Sequence, residues 1–395
     1  MRDKLMKMLD ERQDEMVKIR RHLHNHPELS FQEDKTAQFV LDFYQGKPVK
    51  IDQEVGNGHG IIVTIEGAKP GKTIGLRADF DALPIEEETG LPFASSEKGV
   101  MHACGHDGHT AYLLVLADCL IELKDELKGT IKIIHQHAEE LPPGGAKSMV
   151  ESGLLDDVEH IYGIHFFPFK KAGEVAYHPG YAMAGRSYFK LRVQGKGGHG
   201  SSPHMANDSI VAGSHFVNAV QTIVSRSLNP FDMGVVTIGS FDGAGQFNVI
   251  KDHVTLEGDM RYMTNEVADK LDERIREIVK GIETEFGVTC ELELTRDYPP
   301  LYNNEKITME IAKTLEQKGI GDYLTSVSEF PQLSGSEDFA YYLEKIPGSF
   351  FYVGAAPKGV ENPYFNHHPK FDIDEDALLV AAKSVADVAL ADLFA

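Results

Sequence analysis

A change of rhythm near Ser187 limits the folds open to this chain more than anything else in it. Segments 187–193, 207–227, 234–240, 253–262, 265–286 and 288–295 read as strand, helix, strand, strand, helix and strand. That β-α-β-β-α-β order is the split βαβ arrangement, which can bury a core of its own. Before it, β-branched runs at 60–65, 73–79, 129–135 and 160–165 alternate with helical patterns at 3–24, 35–44, from just after His106 to about 124, and 146–151. After Tyr298-Pro299-Pro300 the alternation resumes, with helix 305–318, strand 349–354 and helix 374–393. Alternation of this kind predicts an α/β domain with a mixed, largely parallel sheet and helices on both faces. The expected organisation is one discontinuous domain, 1–183 plus 299–395, interrupted by an inserted α+β domain at 184–298. A length of 395 residues leaves room for two cores.

Charge and composition remove several classes of function. A net charge of -22 would repel a phosphate backbone or an anionic membrane surface, so neither nucleic acid nor membrane is expected as a partner. The first twenty residues are charged throughout, and no apolar run nears the roughly 18 residues that span a bilayer. Three widely spaced cysteines (104, 119, 290) fit a reducing compartment, and the default location is cytoplasmic.

Chemistry concentrates in Met101-His102-Ala103-Cys104-Gly105-His106-Asp107-Gly108-His109-Thr110, a loop feeding an apolar helix. Thiolate with imidazole is a transition-metal ligand set. Other candidates fall just past strand ends: Asp79 and Asp81, Glu139 and Glu140, and His165. In open α/β sheets, ligands bind beyond the carboxyl ends of the strands, so these groups are expected to share one crevice. Asn366-His367-His368-Pro369 adds imidazoles from a late loop. Together they are enough for two metal ions rather than one. A metal pair suits hydrolysis, because it polarises a carbonyl and lowers the pKa of a water between the ions. A nearby carboxylate must then carry the proton to the leaving group. Of Glu139 and Glu140, one can ligate while its neighbour acts as base.

These motifs, with Arg20-Arg21-His22-Leu23-His24-Asn25-His26-Pro27-Glu28-Leu29-Ser30, resemble the amidohydrolase branch of the aminoacylase-type dinuclear metallopeptidases. That branch includes hippurate hydrolases, N-acyl-amino-acid amidohydrolases and indole-acetyl-amino-acid hydrolases. Arg77-Ala78-Asp79-Phe80-Asp81, Gly163-Ile164-His165, Gly197-Gly198-His199, Gly335-Ser336-Glu337-Asp338-Phe339 and His367-His368-Pro369 extend the likeness over nearly the whole chain. The resemblance implies two divalent ions per subunit, manganese or zinc, with nickel and cobalt as alternatives. It implies Cys104, His106, Glu140, His165 and His367 as their ligands, with His368 as the competing reading for the last. It makes Glu139 the general base, and Asp81 a carboxylate that orients a ligand. His199 becomes the imidazole that steadies the oxyanion, with a dimer interface as one route to the site. Asn248 and Arg261 would meet the substrate's carboxylate. The inserted domain would serve as lid and dimerisation module in a homodimer, a tetramer being the alternative. The implied substrate is an N-acyl amino acid or, in the near alternative, a dipeptide cleaved by the same mechanism.

Two other classes compete. A cysteine hydrolase would use Cys104 as nucleophile and His106 as base, but has no need of so many carboxylates. A non-catalytic metal-holding protein would have no reason to retain Glu139. Elsewhere the plainer reading stands. Cys119 and Cys290 are expected in the core, His22, His24 and His26 as capping or packing groups, and Glu86-Glu87-Glu88 as exposed and inert. His109 is read as a group behind the ligands or as plain helix surface. The Gly-rich 195–200 turn lacks the Lys-Ser/Thr ending of a phosphate loop.

Overall fold

The computed structural model describes all 395 residues and divides them into two compact units. One comprises Met1–Ala182, Tyr302–Pro331 and Asp338–Ala395; the other comprises Met183–Leu301 and Gln332–Glu337. The short return segment Gln332–Glu337 lies outside the expected insertion. It is tied on by a bridge from Leu333 to Met183 and by the Ala184 N–H, which donates to Leu333 O at 3.0 Å.

The larger unit is built on an eight-stranded mixed sheet. Its order is Lys50–Val55, Gly60–Glu66, Lys128–Gln136, Lys69–Asp79, His160–Phe167, Gly348–Gly354, Glu174–Tyr177, Ser326–Glu329. Lys128–Gln136, Lys69–Asp79, His160–Phe167 and Gly348–Gly354 are mutually parallel, so their carboxyl ends lie side by side. Helix His106–Glu122 is apolar nearly all round and buried along almost its whole length. It packs against the three central strands and between helices Gln13–Asn25 and Asp376–Leu393. The expected N-terminal helix is two, Arg2–Glu11 and Gln13–Asn25, broken at Arg12. Each half still buries its own apolar stripe, Leu5 and Leu9 in one, Met16, Ile19 and Leu23 in the other.

The smaller unit is a four-stranded antiparallel sheet in the order Gly234–Asp242, His253–Tyr262, Gly185–Gln194, Thr289–Tyr298. Burial alternates residue by residue along its two central strands, the signature of a sheet with one face covered. Helices Ser209–Thr222 and Asn265–Phe286 supply that cover. The second begins at Thr264, whose hydroxyl accepts the Val267 N–H at 3.3 Å, and ends at Gly287, left-handed at φ +62°. No helix in the chain is long and apolar enough to cross a membrane.

Candidate metal centre and active site

The carboxyl ends of the parallel strands bring the expected donors together. Asp79 ends one strand, and His165 lies two residues from the end of the next. Glu139 and Glu140 follow Gln136 after a turn through Ala138. Gly105, left-handed at φ +95°, turns the chain so that Cys104 and His106 enter from the helix N-terminus. Cys104 Sγ lies 3.3 Å from His165 Nε2, His367 Nε2 lies 3.2 Å from Glu140 Oε1, and His106 Nε2 lies 3.8 Å from the same oxygen. Three overlapping groups have donor atoms within 4.8 Å of one another: Cys104/His106/His165, Cys104/Glu140/His367 and His106/Glu139/Glu140. His367 holds this place with a left-handed backbone, φ +70°, and its N–H donates to Ala103 O at 2.8 Å. His368 instead stacks on Tyr364, ring centroids 4.1 Å apart, and its Nδ1 accepts the Lys370 N–H.

Hydrogen bonds set the imidazole tautomers. His106 Nδ1 donates to Asp81 Oδ1 at 3.1 Å, and His165 Nδ1 donates to Phe166 O at 2.8 Å. Each ring is left with its Nε2 lone pair free to ligate, the arrangement that metal-binding histidines adopt. His106 Nε2 and Glu140 Oε1 are buried with no hydrogen-bond partner, which is costly unless something else satisfies them. Burial, then Glu140, Glu139 and Asp79, push the Cys104 thiol far above its ordinary range. A nucleophilic thiolate needs positive surroundings, so this setting disfavours the cysteine-hydrolase reading. A thiol and carboxylates crowded around orphaned nitrogen and oxygen atoms are instead suited to divalent cations, and the residues present fit them.

Asp79 and His109 stand behind this cluster. His109 Nδ1 donates to Asp79 Oδ1 at 2.6 Å and its Nε2 accepts the Phe166 N–H at 3.1 Å, so both nitrogens are committed. His109 is therefore buried behind the candidate ligands and is not helix surface. Buried Arg77 binds Asp79, Gln136 and Asp338, and Asp338 also accepts from Gln136 and from the Ala146 N–H. The reading of Glu86-Glu87-Glu88 as inert needs correction at Glu87. Its side chain is nearly buried and pairs with His24 at 3.3 Å. Burial opposes its charge, but His24 and the Ser95 N–H outweigh that and hold it at about 2. His24 in turn binds Asp107 at 2.8 Å, and Asp107 binds buried Arg20 at 3.1 Å. Arg77, Arg20, Asp107 and Asp338 fall within the motifs quoted above without an assigned role, and Gln136 falls in none of them.

In the smaller unit, His199 and Asn248 line one open depression. His199 pairs with Val249 in a two-residue ribbon, and the Gly200 N–H donates to Asn248 O at 2.8 Å. His199 Nδ1 accepts the Ser201 N–H at 3.2 Å, which leaves the exposed Nε2 to carry the proton in the neutral ring. Arg261 lies on a central strand of this unit, with Nε on Asp259 at 2.8 Å and Nη1 on Ser336 Oγ at 3.0 Å.

Residues 75–391 match the profile of peptidase family M20/M25/M40. The chain is 40% identical to an N-acetyl-L-cysteine deacetylase of Bacillus subtilis over 93% of this chain and 86% of the relative. It is 38% identical to thermostable carboxypeptidase 1 of Saccharolobus solfataricus over 98% of each. Among solved structures it superposes on YxeP of Bacillus subtilis, described as a dinuclear metal binding peptidase, with a TM-score of 0.82 and 34% identity over 97% and 98% of the two chains. The donors at the strand ends and these likenesses agree, and the chain belongs to peptidase family M20/M25/M40, an enzyme family that hydrolyses amide bonds.

Proposed function

We propose that this enzyme is a dinuclear-metal amidohydrolase that splits N-acyl amino acids into a carboxylic acid and a free amino acid. The observation that carries the reading is the meeting of Cys104, His106, Glu140, His165 and His367 beside Glu139. Two divalent ions held by those five side chains would polarise the amide carbonyl and make water acidic enough to attack near neutral pH. Manganese and zinc suit the donor set best, and nickel or cobalt would also fit. Glu139 accepts the proton of the attacking water on a carboxylate oxygen and passes it to the leaving nitrogen. His199 donates its Nε2–H to the developing oxyanion. Asn248 and Arg261 bind the substrate's free carboxylate, which restricts the amide to one next to such a group. Asp81 keeps the His106 ring in its ligating orientation.

Kinship to an N-acetyl-L-cysteine deacetylase supports the N-acyl substrate. Kinship to a carboxypeptidase favours the second reading, a peptidase that needs the same free carboxylate. The test is amine release from a panel of N-acetyl, N-benzoyl and N-indole-acetyl amino acids and dipeptides. Chelator-stripped protein, manganese-reloaded protein and the Glu139→Gln variant are compared. Activity is expected to return with metal and vanish in the variant, and the best substrate separates the two readings. Protein shown to hold two ions that releases no amine from any substrate would overturn both.

A further inference from the structure

Glu33 takes part in none of the steps above, yet its carboxyl group is wholly buried (0% exposed) at the start of helix Asp34–Tyr44. Its Oε1 accepts the backbone N–H of Ala138, the residue before Glu139, at 2.8 Å. On the other side of Glu139, the N–H of Glu140 donates to Asp81 Oδ2 at 2.9 Å. The N–H groups of the residues before and after Glu139 are thus each held by a buried carboxyl group from a different part of the chain.

Ala138 has φ +51°, a left-handed conformation that is strained for a non-glycine residue and persists only where the surroundings over-determine it. Its carbonyl is fixed as well, accepting the Gly145 N–H at 3.0 Å. Residue 145 has to be glycine, since a Cβ there would come within 2.0 Å of His137 O. Phe31, two residues before Glu33, is also left-handed, at φ +64°. The second oxygen of Glu33, Oε2, is buried with no partner. An orphaned buried oxygen lowers stability, so an apolar side chain would suit that space better unless the other oxygen had a task.

We propose that Glu33 is a positioning residue for Glu139: its bond to the Ala138 N–H holds the left-handed turn that aims the Glu139 carboxylate. The proposal rests on the reading of Glu139 as the general base. A displacement of about 1 Å at a reacting group can lower turnover by a factor on the order of a hundred, so a loosened turn should register in kcat.

The test compares Glu33→Met, which fills the space without an acceptor, with Glu33→Gln, which keeps one. Turnover is measured with the best substrate, and amide hydrogen exchange is followed by mass spectrometry over residues 137–141. The Met variant is expected to lose about 10- to 100-fold in kcat with KM within about threefold of wild type. Exchange over 137–141 should be at least about tenfold faster, and Gln should restore both. A folded Met variant with wild-type kcat and exchange would overturn the proposal. So would a Gln variant that has lost more than about tenfold in kcat, and this arm decides alone if Met does not fold. Failure of the wild type on every amide counts against Glu139 as base. Rapid exchange of the wild-type Ala138 amide counts against Glu33 alone.

Discussion

Asp81 Oδ1 lies 3.1 Å from His106 Nδ1, and through this bond the carboxylate presents the ring's Nε2 to the cluster around Glu140. The same carboxylate accepts from Ser30 Oγ at 2.6 Å and from the Glu140 N–H at 2.9 Å. One residue thereby sets the direction of an imidazole and the path of the neighbouring loop. Partners of this kind typically contribute 10- to 100-fold to metal affinity. Asp81→Ala should therefore bind manganese about 10- to 100-fold more weakly in a chelator competition while remaining folded. Unaltered affinity in a folded variant would remove Asp81 from the site.

His24 makes the protein's stability depend on alkaline pH. Burial opposes protonation of this ring, but Asp107 and Glu87 outweigh it and hold it at about 9. The folded value lies above the unfolded one of about 6.5. The contribution is therefore complete below about pH 6.5 and disappears as pH rises through about 9. Relative to wild type, His24→Gln should lose about 2–3 kcal/mol in urea unfolding at pH 6. At pH 10 most of that difference should be gone. A difference that stays constant from pH 6 to pH 10 would show that His24 folds uncharged.

Much of this site can be read from sequence, because its donors sit in short motifs just past strand ends or at a helix N-terminus. Cys104, His106, Glu139, Glu140 and His165 belong to that class. Glu33 does not, since it looks locally like a surface charge and acts on a backbone N–H far along the chain; Arg20 and Asp338 lie in recognisable motifs, but their buried partners are more than eighty residues away. The same limit applies to the fold. Helix 265–286 and strand 253–262 are read to the residue, because period and caps agree. Strands Lys50–Val55, Glu174–Tyr177 and Ser326–Glu329 were missed. The first lacks an alternating pattern and the other two are four residues long, so pairing to a neighbour defines them rather than their own composition.

Phe169 and Phe365 stack with centroids 5.4 Å apart and planes 9° from parallel, each about half exposed (54% and 50%). Phe167 lies 6.2 Å from Phe365, two residues after His165, while Phe365 precedes His367 by two. An open aromatic face on the segments that carry His165 and His367 suits a flat acyl group, and a ring contact contributes about 0.5–1.5 kcal/mol beyond its area. The double variant Phe169→Ala/Phe365→Ala should lower the ratio of kcat/KM for N-benzoyl over N-acetyl substrates by about tenfold. An unchanged ratio would place acyl selection elsewhere.

The smaller unit's sheet has an edge strand, Gly234–Asp242, with Val235 and Phe241 exposed on it and Phe231, in the turn before it, almost fully exposed (96%). An apolar open edge of this length invites pairing with another chain, which supports a homodimer. Light scattering should find two chains per particle at micromolar concentration, and Val235→Lys should shift that toward one. A sharper test asks whether His199 serves its own subunit's Glu139 or the partner's. Neither Glu139→Gln nor His199→Ala should turn over substrate at an appreciable rate alone. If His199 acts across the interface, each mixed dimer holds one intact site and one doubly damaged site. Unfolding the two variants together and refolding the mixture should then recover about a quarter of wild-type activity. If each subunit is complete by itself, every site in the mixture lacks one group and no activity returns. That result would confine His199 to its own subunit's site and leave the edge strand a purely structural contact.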